Sequence, residues 1–408
     1  MITSNSIAPA LRPRGLLATP AYLRLWFAGG VGNAMRWLEL LVAGVFTYNV
    51  THSTFLVALV TVARSLPMLF GGALAGVIGE AVNRKRILVV QLLVMAATSL
   101  ALFLLALFGE VRVWHMIVAG AVNGTVWASE LAVRRRMIGE VVAADQVTSA
   151  VAFDSLTNSI ARVLGPLLGG AVFETLGLGG AYLLATLFYL AASLAVLGLE
   201  FRQEPRRLRF RRIAADIAEG ILVARRSPAI LAVILVSIIM NTFAFSYSAL
   251  IAPLGLGRYG VSPTLVGALA GAEPLGAIVS GIALSAGWLR LNGRRALLRG
   301  SLLFLAGVIA MALSPWYGLA FFLLLIGGLG TAAFSTMQTT LVLTEAPPAT
   351  TSRVMGIVTM CIGTGPIGVL AIGLLAERIG AAPAILVMAG LGFAGLLWIW
   401  ARLSRAPV

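Results

Sequence analysis

The strongest constraint in this chain is the recurrence of long apolar runs. A helix needs about 20 apolar residues to cross the hydrocarbon core of a bilayer, and twelve runs satisfy that requirement. Six lie in the first half: Ala21 to Tyr48, Phe55 to Gly79, Ile87 to Phe108, His115 to Val133, Val147 to Leu176 and Ala181 to Leu199. Six lie in the second: Ala229 to Leu256, Thr264 to Leu289, Ala296 to Ser314, Trp316 to Leu343, Val354 to Ala376 and Pro383 to Leu403. Numbered as spans one to twelve in chain order, they predict an all-α polytopic membrane protein. Several exceed twenty residues, which allows tilt or Gly/Pro breaks. Only 11% of residues are charged, against about 25% in soluble domains, so a water-covered globule is excluded. Met1 to Pro20 is polar and has no apolar core of its own, unlike a cleavable signal.

A net charge of +15 would suggest nucleic acid in a soluble chain. Its placement argues otherwise. With the N-terminus inside, all but six of the 30 Lys and Arg fall in cytoplasmic segments or at their membrane edges. The exceptions are Arg112, Arg258 and Arg378 outside, and Arg36, Arg64 and Arg162 within spans. That asymmetry is the positive-inside rule and predicts both termini in the cytoplasm. The single lysine among these bases suggests a GC-rich bacterial genome, hence a multi-pass protein of a bacterial inner (plasma) membrane. Glu200 to Pro228 is the one long polar stretch. Its arginines alternate with Phe210, Ile213, Ile217 and Ile221 at helical spacing, as in an amphipathic helix lying on the membrane surface.

Six spans, a basic linker and six more spans suggest duplication. At a register of 209 residues Phe55-Leu56-Val57 falls on Thr264-Leu265-Val266, Gly72 on Gly281, and Asn83 to Arg86 on Asn292 to Arg295. The expected organisation is a six-helix bundle over residues 1–199, a linker over 200–228 and a second six-helix bundle over 229–408. Parallel repeats of this kind pack about an axis along the membrane normal.

No catalytic constellation accompanies the spans. One cysteine, Cys361, and two distant histidines, His52 and His115, offer no metal site. Neither a nucleophile-elbow pattern nor a zinc-protease or phosphate-binding loop pattern occurs. The chain is expected to be neither an enzyme nor an ATP-driven pump, and to hold no cofactor. Charges inside a bilayer cost roughly 2.5–3.5 kcal/mol each on insertion scales, so those present need a reason. Arg36, Glu39, Arg64, Asp154, Arg162 and Glu273 lie well within spans. Arg36 and Glu39 are three apart, a spacing that permits a local pair. Asp154, Asn158 and Arg162 share one face of span five, which makes the first half's cavity side ionic; Glu273, Asn241 and Gln338 are the second half's candidates. Arg64 and Glu273 are equivalent in the 209-residue register and sit near mid-membrane. Glu130 is expected to partner Arg134 to Arg136. Trp37 and Trp127 lie deep enough to touch a substrate, with packing as the default.

The loop after span two carries Gly72, Gly76, Glu80, Arg84, Lys85 and Arg86, and span five carries Gly165-Pro166-Leu-Leu-Gly169-Gly170. With these motifs the chain resembles the major facilitator superfamily. Tyr22 to Trp26, Arg64 to Pro67, Arg134 to Gly170 and Ser352 to Gly356 are similar to its enterobactin-exporter and drug-efflux subgroup. Two loop positions depart from the pattern, Glu80 for Asp and Ala81 for Arg, and Gly120 stands where many drug/proton antiporters carry arginine. The resemblance implies two pseudo-symmetric six-helix halves, a cytoplasmic gate at the span-two loop and alternating access. It also implies packing of span five on span eight, which would let Arg162 pair with Glu273, the best candidate for proton coupling. The expected function is proton-coupled export of a small amphipathic molecule, a drug or siderophore-like metabolite, by a monomer whose partners are that substrate, the bilayer and a proton gradient, with no nucleic acid. Import, lipid handling by the same fold, and a non-transporting scaffold are the alternatives.

Overall fold

In hydrocarbon every backbone N–H and C=O must be satisfied within its own element, and helices do this span by span. The computed structural model describes residues 15–81, 83–201, 227–288, 293–347 and 350–403, and among them it contains helices and no strand. Nine helices among the described residues are long and apolar enough to cross a membrane. Span one lies in Pro20–Thr51, span two in Thr54–Ala81, span three in Arg84–Leu107 and span four in Val113–Val141. Spans five and six are continuous in Val147–Leu197 except for a break at Gly177, whose φ of 68° is a left-handed conformation that glycine adopts without a Cβ penalty. Span seven starts as Pro228–Ile239, span eight is Pro263–Ser285, span nine Gly293–Leu313 and span ten Tyr317–Glu345. Span eleven is split into Thr351–Ile362 and Gly365–Ile379, and span twelve is Ala381–Leu403. Most of the basic linker, 202–226, lies outside the described residues.

Two large hydrophobic cores organise the helices. One joins spans one to six through Tyr22, Leu92, Met137 and Tyr189; the other joins spans seven to twelve through Val236, Phe304, Leu324 and Ile385 and takes in Leu41 and Val45 of span one. The halves meet mainly where span five packs on span eight and where the second piece of span eleven packs on span two. Thr351–Ile362, the first piece of span eleven, packs instead on spans seven and ten of its own half. The halves are therefore closed together at the end away from the basic loops.

Pseudo-symmetry is visible in that closure. Within spans five and eleven the register becomes 203 residues, which pairs Gly165 with Gly368, Gly170 with Gly373, Glu174 with Glu377 and Gly177 with Gly380. Gly380, at φ 89°, ends span eleven as Gly177 ends span five. A side chain at Gly170 would collide with the Pro263 carbonyl of span eight, and one at Gly373 with Ala58 of span two. Beyond each glycine a carboxylate crosses to the other half. Glu174 accepts from the Thr264 N–H (3.1 Å) and its hydroxyl (2.5 Å) at the start of span eight. Glu377 accepts from the Phe55 N–H (3.0 Å) and from the Thr54 (2.9 Å) and Ser53 (3.1 Å) hydroxyls at the start of span two. Each carboxylate thus satisfies an orphan donor at a helix N-terminus, where the helix dipole favours negative charge.

Two predictions come from this packing. Gly170→Ala must push backbone apart and is expected to destabilise the protein by about 1–3 kcal/mol, read as a lower unfolding temperature, whereas Gly281→Ala, which meets nothing within 4 Å, leaves it unchanged. The double variant Glu174→Gln, Glu377→Gln is expected to loosen this end. In a Cys361→Ala background, a cysteine at Leu41 should then react several-fold faster with a membrane-impermeant thiol reagent applied from that side.

Candidate functional site

Span seven leaves α-helical geometry at the middle of the bundle. After Ile239 it runs as π-helix over Met240–Ala244, 3-10 helix over Phe245–Leu250 and π-helix again over Pro253–Arg258. Such departures re-aim side chains and occur often at functional sites. Here they bring Asn241, Phe245 and Tyr247 to the wall of a cavity of about 370 Å³. Trp37, Thr61 and Trp127 line it from the first half. Asn241 is steadied by donating to the Ser237 carbonyl at 2.8 Å. A wider depression of about 740 Å³ lies at the closed rim around His52, Arg258 and Glu377, and it holds none of the residues singled out within the spans.

Arg162 of span five and Glu273 of span eight meet across the two halves at 2.8 Å in the cavity wall. The Glu273 side chain is 4% exposed and that of Arg162 is 32% exposed. Glu273 uses Oε2 for this pair, and its buried Oε1 has no hydrogen-bond partner among the described residues. The Arg162 guanidinium lies 5.6 Å from the Trp37 ring. Trp37 meets Trp127 edge-on at 6.2 Å, and Arg64 lies 5.6 Å from the Trp127 ring. Arg64 does not itself line the cavity. It stands by Trp127 and donates to the Arg36 carbonyl at 2.7 Å.

The local Arg36–Glu39 pair expected from spacing does not form. Arg36 pairs with Glu130 of span four at 2.7 Å. Glu39 is hydrogen-bonded by neutral groups, the hydroxyls of Ser99 (2.5 Å) and Tyr189 (3.1 Å) and the amide of Asn123 (2.9 Å), with the Arg64 and Arg36 guanidiniums nearby as its counter-charges. Arg36 takes a carboxylate from span four besides the Gly32 carbonyl of its own helix (3.2 Å), and Glu39 takes its hydrogen bonds from spans three, four and six. Glu130 also binds Arg134 at 2.6 Å, as expected. Arg134 in turn contacts Asp154, which has Arg135 at 3.9 Å. A chain of alternating charge therefore runs from Arg36 through Glu130 and Arg134 to Asp154, inside the first bundle.

The ionic cavity face expected on span five is also corrected. Eight residues of helix separate Asp154 from Arg162, a rise of about 12 Å, so one face does not mean one depth. Asp154 is taken by Arg134, Asn158 is half-buried and off the cavity wall, and only Arg162 reaches it. Gln338 likewise misses the cavity and donates to the Ser237 hydroxyl at 2.6 Å. The glycine motif divides its work: Gly165 and Gly169 abut Ala34, Trp37 and Leu38 of span one, while Gly170 abuts span eight. In the gate loop Arg84 pairs with Glu140 of span four at 2.5 Å, and the Asn83 side chain caps the Lys85 and Arg86 N–H groups. Gly72, Gly76 and Glu80 fall within the helix Thr54–Ala81, but the Glu80 side chain lies outside the described residues. Phe245 and Tyr247 were not foreseen; the polar run Asn241 to Ser248 inside an apolar span was the available signal.

A family model described as transmembrane secretion effector matches residues 13–406. Enterobactin exporter EntS of Citrobacter koseri is 27% identical over 361 residues, covering 85% of this chain and 82% of that protein. Macrolide efflux protein A of Streptococcus pyogenes is 21% identical over 337 residues, covering 81% of this chain and 83% of that one. Among solved structures, a peptide transporter POT in complex with alafosfalin superposes with a TM-score of 0.76 at 15% identity, covering 96% of each chain. An inward-facing bacterial homologue of the lysosomal transporter Spinster gives 0.66 at 16% identity, covering 94% of this chain and 96% of that one. These low identities speak for the fold. The chain belongs to the transmembrane secretion effector family of the major facilitator superfamily and is a multi-pass membrane transporter, not an enzyme.

Proposed function

We propose that the protein is a secondary active exporter that moves a small amphipathic molecule against a proton gradient by alternating access. The observation that carries this reading is the Arg162–Glu273 pair, which joins the two halves at 2.8 Å in the wall of an aromatic cavity. A pair across halves must break and re-form whenever the bundles 1–199 and 229–408 rock apart, so its charge state is coupled to conformation. The positive-inside rule puts the basic loops in the cytoplasm. On that orientation the end sealed by Glu174 and Glu377 is the outer one. Export is favoured by the efflux relatives, a macrolide efflux protein and an enterobactin exporter.

Proton coupling follows from competition at one atom. With Glu273 ionised, Oε1 is a free acceptor for cargo and Oε2 holds Arg162. A proton on Oε1 turns that acceptor into a donor and weakens the pair, so proton and a donor-bearing cargo compete for the same atom, as antiport requires. The charged and titratable groups sharing this cavity wall with Glu273 are Arg162 of span five and Tyr247 of span seven. Intramembrane acids in such positions commonly serve proton relays.

The test is flux in proteoliposomes under an imposed pH gradient, with a broad panel of amphipathic drugs and metabolites. Wild type is expected to drive at least one compound with the gradient. Glu273→Gln is expected to abolish gradient-driven flux while keeping exchange of cargo down its own gradient. Unchanged flux and pH dependence in Glu273→Gln would remove this residue from the coupling step, and no flux of any compound by correctly folded protein would remove transport itself.

A further inference from the structure

We propose that the central cavity selects a compact aromatic acid, one that carries a hydroxyl or N–H donor beside its carboxylate. The inference rests on reading this cavity as the cargo site. Four features of the wall carry it.

Volume comes first. About 370 Å³ is near the small end of the roughly 300–1,000 Å³ typical of ligand pockets, which suits a body of one or two rings. The second feature is aromatic surface. Trp37 and Trp127 stand edge-on at 6.2 Å, with Phe245 and Tyr247 on the facing half. Offset or edge-to-face contact with such rings favours an aromatic guest over an aliphatic one.

Charge is the third. Arg162 and Glu273 are the charged residues on the wall, and they are not equally accessible. A ligand meets the guanidinium, one third exposed, before the carboxylate, which is 4% exposed. A guanidinium carries five N–H donors, and Glu273 takes up one through Nη2. Behind Trp127 and off the cavity wall stands a second guanidinium, Arg64, which shares its surroundings with the Glu39 carboxylate and is charge-balanced by it. Glu39, the nearest acid on span one, is off the cavity wall and is held by Ser99, Asn123 and Tyr189. The exposed charge on the wall is therefore the Arg162 guanidinium, which favours an anion, while a cation would have to reach past it to the buried carboxylate.

The fourth feature is the buried Oε1 of Glu273, an acceptor without a donor. Glu273 shares the wall with Arg162, so an acid held by Arg162 would carry its neighbouring substituent towards the Glu273 carboxyl. A hydroxyl or N–H there satisfies it, while a simple acid leaves it unsatisfied and an ether or halogen repels it. This donor is also the group that a proton on Glu273 would displace, which links ligand choice to coupling.

The test is isothermal titration calorimetry on the full chain in lipid nanodiscs, without a gradient. The probes are 3-hydroxy-2-naphthoate, 2-naphthoate and 2-naphthylmethylammonium. The hydroxy acid is expected to bind most tightly, the plain acid about 5- to 10-fold more weakly for want of one hydrogen bond, and the ammonium not at all. Arg162→Gln is expected to weaken the hydroxy acid at least 10-fold, since a hydrogen bond to a charged group is lost. Should that variant fail to fold, the double variant Arg162→Gln, Glu273→Gln leaves no unpaired charge and is measured in its place, with the same expected loss. Tighter binding of the ammonium, equal binding of all three, no binding of the hydroxy acid, or undiminished binding to the variants overturns the proposal. Because the readout needs no gradient, gradient-driven flux of some other compound alongside any of those results would sink this ligand class and leave the exporter reading standing.

Discussion

Charge neutrality in a low-dielectric interior is the constraint on which this arrangement depends. An ion moved there without a partner costs several kcal/mol, and removing one member of a buried pair strands the other. The mid-bundle arginines 36, 64, 134 and 162 are matched in number by Glu39, Glu130, Asp154 and Glu273. Their pairing explains much of the helix arrangement. Arg36–Glu130 and Arg134–Asp154 tie spans one, four and five into a rigid bundle. Arg162–Glu273 ties that bundle to its counterpart. The first set stays within one half and need not change during a rocking motion; the last must change.

Span five shows how one segment serves both requirements. Its glycines allow backbone contact with span one on one side and span eight on the other, so Arg162 is brought up to Glu273 by close packing rather than by a flexible reach. Farther along the same helix, Glu174 closes the rim. Cavity wall and rim seal are therefore rigidly connected. A movement that parts Glu174 from Thr264 is transmitted to Arg162 through about three turns of helix.

Much of this was legible in the sequence. Apolar length marked the helices, and the mid-span acid and base on spans eight and five meet at 2.8 Å. The errors have a common physical origin. Helical periodicity compares residues on one helix, so it favoured Arg36 with Glu39 and could not see Glu130, Ser99 or Tyr189 arriving from elsewhere. It also judged Asp154, Asn158 and Arg162 by face and not by depth. Glu174 and Glu377 were not singled out, because their partners include N-terminal amides that no side-chain pattern reveals. The π and 3-10 turns of span seven depend on packing from both halves, and only the polar run around Asn241 hinted at them.

The duplicated rim has a mechanical consequence. Phe55 and Thr264 are equivalent positions, as are Glu174 and Glu377, so each bundle bolts the other with a copy of the same fitting. Restraints of similar kind on both sides of a symmetry axis resist tilting toward either one. Opening then tends to be a balanced swing about that axis, with both bolts drawn in the same stroke, and a lesion in one copy should leave a lopsided gate and not a locked one.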